Sequence, residues 1–162
     1  MSVLNKVTNI LIGSLVGTVL YGLTSIYLNT KVTFSLNYLS VEEAKNLIVH
    51  EQKNSKILNN KDINFIVLNP GLIPSNMGAF KFCSEGKYYL VNNGPKIKKT
   101  EFLHEIGHVL VSKPNTKKVS LEECITYINN FRSSENISAK DLLKYIYSPE
   151  EFFCNIYALS KK

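Results

Sequence analysis

Cysteine, histidine and clustered basic residues are all scarce in this sequence of 162 residues, and each shortage reduces the range of functions that the chain could have. The three cysteines, Cys83, Cys124 and Cys154, are too few and too widely spaced for a disulfide framework. None pairs with another at CxxC spacing, which argues against a thiolate zinc site. The formal charge is +6, yet no lysine run or helix face is dense enough to indicate nucleic-acid binding.

Charge is missing altogether from one segment near the N-terminus, Val7 to Thr30. About 20 apolar residues in a helix cross the hydrocarbon core, so the segment predicts a single transmembrane helix. No Ala-x-Ala-like site follows, which disfavours the alternative of a cleaved signal peptide. The segment is apolar all round, which disfavours a buried core helix. Lys6 before the span and Lys31, Glu42 and Glu43 after it favour an extracytoplasmic domain, with secretion as the alternative.

The sequence therefore divides into a membrane anchor or signal segment, residues 1–34, and one domain, residues 35–162. A small sheet followed by helices makes the predicted fold of that domain α+β. We expect an extended peptide to add to the edge of this sheet along the strand Lys87–Asn92. The predicted elements are a helix from Ser40 to Gln52, strands at Asp62–Leu68, Ala79–Cys83 and Lys87–Asn92, a helix from Lys96 to Val111, and three helices starting at Ser120, Ser138 and Ser148.

Two of the three histidines stand in the most informative motif of the chain, His-Glu-Ile-Gly-His at residues 104–108. Positions four apart lie on one face of a helix, so His104 and His108 can offer two imidazole nitrogens to one metal ion. Glu105, one step round the helix, can take a proton from a water at that metal. This spacing is typical of zinc-dependent peptidases.

A catalytic zinc ion usually takes three protein ligands, so a third ligand is expected downstream of the motif. No histidine lies beyond His108, which leaves the carboxylates. Glu151 fits best, because Asn155 one turn later can accept a hydrogen bond from a ligand histidine. Glu150 is the reserve, and Glu151 can equally complete a capping box at its own helix start. The full set of candidates is Glu122, Glu123, Glu135, Asp141, Glu150 and Glu151.

Two segments, FLHEIGHVL at residues 102–110 and SPEEFFCNIYAL at residues 148–159, resemble the anthrax lethal factor-like zinc metallopeptidases. That family includes the secreted Pro-Pro endopeptidases of clostridia. The resemblance implies a zincin-like (gluzincin-type) domain that binds one zinc ion through His104, His108 and Glu151, with Glu105 as the general base.

The resemblance also implies a tyrosine that stabilises the oxyanion about two turns before the glutamate ligand. The matching position here is Lys144, and Tyr145 and Tyr147 flank it. We assign the role to Tyr145. Asn155 stands where the family has an acid, and a neutral amide gives a histidine less help with its basicity.

These observations predict a membrane-bound zinc endopeptidase whose partners are a protein or peptide substrate and the membrane. One alternative is an intracellular relative of the phage-repressor-cleaving ImmA family, which also pairs a HExGH helix with a late Glu-x-x-x-Asn segment. Another is a membrane-tethered module that keeps zinc and has lost catalysis. The sequence gives no cleavage specificity.

Overall fold

The computed structural model of the chain describes residues 3–74, 77–133 and 138–161. In those ranges it is an α+β structure with seven helices and two small sheets. The helices are α1 (Val3–Thr33), α2 (Val41–Asn54), α3 (Lys56–Asn59), α4 (Lys99–Val111), α5 (Leu121–Ser133), α6 (Ala139–Ile146) and α7 (Pro149–Ser160). The strands are β1 (Tyr38–Leu39), β2 (Ile63–Leu68), β3 (Ala79–Ser84), β4 (Lys87–Asn93) and β5 (Ile97–Lys98).

The larger sheet has the strand order β2-β4-β3, with β2 parallel and β3 antiparallel to β4. Glu85 and Gly86 join β3 to β4 with φ values of 51° and 80°, the positive angles of a tight hairpin turn. The three strands predicted from sequence are confirmed. The prediction that Lys87–Asn92 is an edge is wrong, because β4 is paired on both sides and the edges of the sheet are β2 and β3.

Serine caps define the helix starts that the sequence predicts. Ser40 and Glu43 form a complete capping box at α2, and the side chains of Ser138 and Ser148 cap α6 and α7. The helix of the HEIGH motif begins at Lys99, three residues later than predicted. Its predicted first residues instead form β5, which pairs with β1.

Helix α4 lies at the centre of the main hydrophobic core. Phe102, Ile106 and Val109 of this helix are each at most 1% exposed. They pack with Leu90 of the central strand and with Ala158 of α7. Burying each large side chain contributes about 1.5–3 kcal/mol, so the helix that carries both motif histidines is among the most firmly held parts of the fold.

Helix α1 contains a stretch, Ile10–Thr33, that is long and apolar enough to cross a membrane. Only 11% of its most apolar window is buried, which is unlike a core helix. Residues 10–20 are exposed throughout, whereas Gly22, Ser25 and Val32 are buried against the rest of the chain. Val32 belongs to the main core. The end of α1 therefore packs against the domain predicted at residues 35–162.

Candidate metal centre

The position of the two motif histidines depends on α4, which is buried in the core and capped at its C-terminal end. His104 and His108 lie one turn apart and are 8% and 9% exposed. Beyond them, the helix end is capped by Lys61, whose ammonium donates to the carbonyl oxygens of Val109 and, at 2.8 Å, Ser112. A cation at a helix C-terminus satisfies carbonyls that have no partner in the helix itself and complements the helix dipole. This end of the motif helix is therefore well ordered by its surroundings.

Gly107, the glycine of the motif, lets α7 approach α4 closely. A Cβ atom at this position would lie 3.1 Å from the Cα of Cys154 and 3.2 Å from its Sγ. Because the nearest atom is backbone, the neighbouring helix could not yield without moving as a whole. The close crossing brings Glu151 of α7 against the two histidines.

Three side chains converge on one point. The Nε2 atoms of His104 and His108 are 3.1 Å apart. A carboxylate oxygen of Glu151 is 3.1 Å from His104 Nε2, and its other oxygen is 3.4 Å from His108 Nε2. One donor atom from each residue lies within 4.8 Å of the others, which makes the three a possible metal-binding triad.

The outer nitrogens of the two histidines have different surroundings. His108 Nδ1 is 2.7 Å from a carboxylate oxygen of Glu150, so the reserve ligand contacts the side of the ring that faces away from the triad. A carboxylate in this position fixes the ring and leaves Nε2 free to bind a metal. His104 Nδ1 and the amide of Asn155 are buried, and among the described residues neither has a hydrogen-bond partner. The expected hydrogen bond from a ligand histidine to Asn155 is not formed.

The electrostatics of this group favour positive charge between the ligands. Burial would raise the pKa of Glu151, but its hydrogen bonds to His104 and His108 outweigh burial and lower that pKa to about 2. Burial likewise would lower the pKa of His108, while contacts with Cys154, Glu151 and Glu105 raise it to about 11. A carboxylate anion thus faces imidazole nitrogens, as in a site that accommodates a cation.

Glu105 lines an open cavity of about 250 Å³ together with the three residues of the triad. Burial raises the pKa of Glu105, and positive charge on His104 and His108 opposes that rise. The raised pKa moves the carboxylate toward the range in which a base can both accept and release a proton near neutral pH. Other residues that line the cavity include Asn29, Ala79, Glu101 and Tyr145.

The two candidate tyrosines occupy different places. Tyr145 lines the cavity, and its hydroxyl donates to Oδ1 of Asn29 at 3.0 Å. Burial and the neighbouring carboxylate of Glu151 raise the pKa of Tyr145, so its hydroxyl keeps its proton. Tyr147 instead stacks on Tyr21 of α1. Lys144 is exposed and contacts Asp141.

The remaining carboxylate candidates that the structure describes lie away from the triad. Glu123 bonds to the backbone nitrogen of Ser120 at the start of α5, and Asp141 bonds to Ser138 at the start of α6. Glu122 is exposed, and Glu135 lies outside the described residues. The contacts of Glu150 with His108 and of Asn29 with Tyr145 had no counterpart in the sequence analysis. No short-range pattern could have revealed the second, because those residues are 116 positions apart.

The sequence matches no family model, and no curated protein or solved structure is significantly similar to it.

Proposed function

We propose that this chain is a zinc-dependent endopeptidase that hydrolyses peptide bonds in a protein substrate. The observation that carries the proposal is the convergence of His104, His108 and Glu151 on one point, with Glu105 in the same cavity. Tetrahedral zinc with ligands about 2.0–2.1 Å away places those ligands roughly 3.3 Å from one another. The two Nε2 atoms are 3.1 Å apart, and one carboxylate oxygen of Glu151 is 3.1 Å from His104 Nε2, which are both close to that value. The local resemblance to lethal factor-like peptidases and their zincin-like fold supports the same assignment.

The ligand chemistry also favours zinc. Two imidazoles and one carboxylate are a common set at catalytic zinc sites, and they leave one position open. When bound, zinc would polarise the scissile carbonyl and lower the pKa of an attacking water toward 7. His104, His108 and Glu151 would hold it, and Glu150 would orient His108.

The residues of the chain supply the proton transfers. Glu105 takes the proton of the attacking water and delivers it to the leaving amine. Tyr145 donates its hydroxyl proton to the carbonyl oxygen as negative charge develops there, a contribution of about 3 kcal/mol for donors of this kind. A hydroxyl with a raised pKa remains protonated, as this role requires.

The substrate would bind as an extended chain beside β3. The first residue of this strand, Ala79, lines the cavity, as does Gly78 before it. The backbone of the strand is paired only on the β4 side. A peptide that adds to the free edge would pass Glu105 with its carbonyl groups exposed to the triad.

The N-terminal helix would anchor the chain in a membrane as a single span. The charge-free part of the helix before its packed turns, Val7 to Leu20, rises about 21 Å, so Lys6 and the turns that follow Leu20 would lie near the two surfaces of the hydrocarbon core. We favour an extracytoplasmic domain because Lys6 precedes the span.

The competing candidate is a zinc-binding module without hydrolytic activity. The observation in its favour is Asn155, a neutral and buried amide where an acid would support a ligand histidine.

One experiment separates the two candidates. The full chain is solubilised from alkaline-washed membranes and assayed for metal content and for cleavage of a peptide library. We expect about one zinc per chain and cleavage in the wild type. Glu105→Gln should keep the zinc and lose at least a hundredfold in kcat, because the base is gone while the ligands remain. Glu122→Gln, on the exposed face of α5, should match the wild type. A chain without stoichiometric zinc would refute the proposal, and zinc without cleavage would favour the binding module.

A further inference from the structure

The last turns of α1 line the same cavity as the metal-binding triad. Asn29, Val32 and Thr33 of this helix line it together with His104 and Glu105. Hydrogen bonds also join the end of α1 to β5 and α4, because the Thr100 hydroxyl donates to the carbonyl oxygen of Val32 at 2.8 Å. The Lys98 ammonium donates to that of Thr33 at 3.0 Å. The helix that leads to the membrane is therefore part of the cavity and not a separate tether.

Tyr145 depends on α1 for its position. It lies on α6, a helix of 8 residues in which no side chain is buried in the core. Leu142, Tyr145 and Ile146 of α6 line a cavity of about 290 Å³ together with residues of α1. A short helix without core contacts is weakly held by its own sequence. The hydrogen bond from the Tyr145 hydroxyl to Asn29 is the polar contact that joins α6 to α1 beside the triad.

We propose that Asn29 is a positioning residue for Tyr145, and that α1 is consequently a working part of the catalytic cleft. This inference rests on the proposed peptidase function. While the cleft is empty, the amide oxygen of Asn29 accepts a hydrogen bond from the Tyr145 hydroxyl and keeps that hydroxyl beside the triad. When charge develops on a substrate carbonyl oxygen, the hydroxyl turns its proton to that stronger acceptor. Asn29 acts through Tyr145 and makes no contact with the reacting atoms.

A double-mutant cycle tests this role in the full chain. Asn29→Leu keeps the size of the side chain and removes the acceptor, and Asn29→Asp retains an acceptor oxygen. Tyr145→Phe removes the donor. Thr24→Val is the matched control, since Thr24 is an exposed residue of α1 whose hydroxyl bonds only within its own helix, to Leu20.

We expect Asn29→Leu to lower kcat about tenfold while KM stays within about twofold, because the oxyanion contact forms only in the transition state. Tyr145→Phe should lower kcat about a hundredfold. Adding Asn29→Leu to Tyr145→Phe should cause no further loss, and Asn29→Asp should recover most of the activity. Losses that multiply in the double variant, or an Asn29→Leu variant with full kcat, would overturn the inference.

A spectroscopic readout keeps this test independent of hydrolysis. The chain is prepared with 3-fluorotyrosine at position 145, and its fluorine NMR signal is compared among the variants. Asn29→Leu should shift and broaden the signal, while Thr24→Val should leave it unchanged. If the wild type cleaves nothing, the peptidase proposal fails, yet the signal still decides whether Asn29 holds Tyr145. An unshifted signal in Asn29→Leu would refute that contact.

Discussion

At the scale of single residues, Glu150 and Glu151 are adjacent in sequence but contact opposite nitrogens of His108. Glu151 lies 3.4 Å from Nε2, inside the triad, and Glu150 lies 2.7 Å from Nδ1, outside it. The sequence indicated both as candidate ligands, and only the rotation of α7 against α4 decides which carboxylate faces which nitrogen. A carboxylate on the outer nitrogen raises the basicity of the inner one.

Replacing these two glutamates should therefore weaken metal binding to different degrees. Glu150→Gln keeps an acceptor at Nδ1 but removes its charge, and we expect zinc affinity to fall about tenfold. Glu151→Gln removes a ligand and should lower affinity by a larger factor. Competition with a chromophoric chelator measures both, with Glu122→Gln as the control. Equal affinity in Glu150→Gln and Glu122→Gln would show that the outer carboxylate has no such effect.

At the scale of elements, the crossing of α4 and α7 assembles the triad. The two halves of the site, the HEIGH motif and Glu151, could be predicted from sequence because the motif has the spacing of one helix face and Glu151 follows the serine that caps α7. The start of α4 could not be predicted, since Ile97 and Lys98 pair with the distant strand β1. The central position of β4 in its sheet could not be predicted from the sequence either. Pairing partners depend on the whole fold, whereas strand propensity is local.

Gly107→Ala tests whether the crossing of α4 and α7 tolerates one additional methyl group. Alanine favours a helix over glycine by about 1 kcal/mol, whereas overpacking costs about 1–3 kcal/mol. Because the new methyl would meet the backbone of Cys154, we expect overpacking to prevail. The melting temperature should fall and zinc affinity should drop about tenfold as Glu151 moves outward. Gly17→Ala is the control, since nothing lies within 4 Å of that position. A higher melting temperature in Gly107→Ala would contradict the expectation.

At the scale of the whole molecule, a buried carboxylate joins the first helix after α1 to the last helix of the chain. Glu51 of α2 is 2% exposed and accepts a hydrogen bond from the Tyr157 hydroxyl at 2.5 Å. Its carboxylate also lies 2.9 Å from the Lys161 ammonium. Burial would raise the pKa of Glu51, but hydrogen bonds from Tyr157 and Lys161 lower it below its ordinary value of 4.5.

This carboxylate should make stability depend on acid pH. A group whose folded pKa is lowered stabilises the fold fully above its unfolded pKa, and that stabilisation is lost as pH falls below about 4.5. Glu51→Gln should reduce the free energy of unfolding at pH 7 by about 1–3 kcal/mol. That loss corresponds to a melting temperature roughly 2–10 °C lower.

Thermal unfolding of the full chain in detergent between pH 7 and pH 3 measures the effect. The difference between wild type and Glu51→Gln should shrink as pH falls below 4.5. Glu42→Gln, at an exposed position of the same helix, should change the free energy by less than about 0.5 kcal/mol. A Glu51→Gln difference that stays constant with pH would contradict the assignment.

The unbroken α1 helix also determines where the proposed peptidase would meet a substrate. With α1 spanning the bilayer as proposed, the rise from Tyr21, where packing begins, to Asn29 in the cavity is about 12 Å. An extended chain covers that height in about four residues. The cleft would then lie at a fixed distance from the membrane surface, and the protein would diffuse only in the plane of the membrane. It would encounter the membrane-proximal residues of other proteins in the same membrane. The rate of these encounters would depend on the number of such proteins per unit area of membrane and not on their concentration in solution.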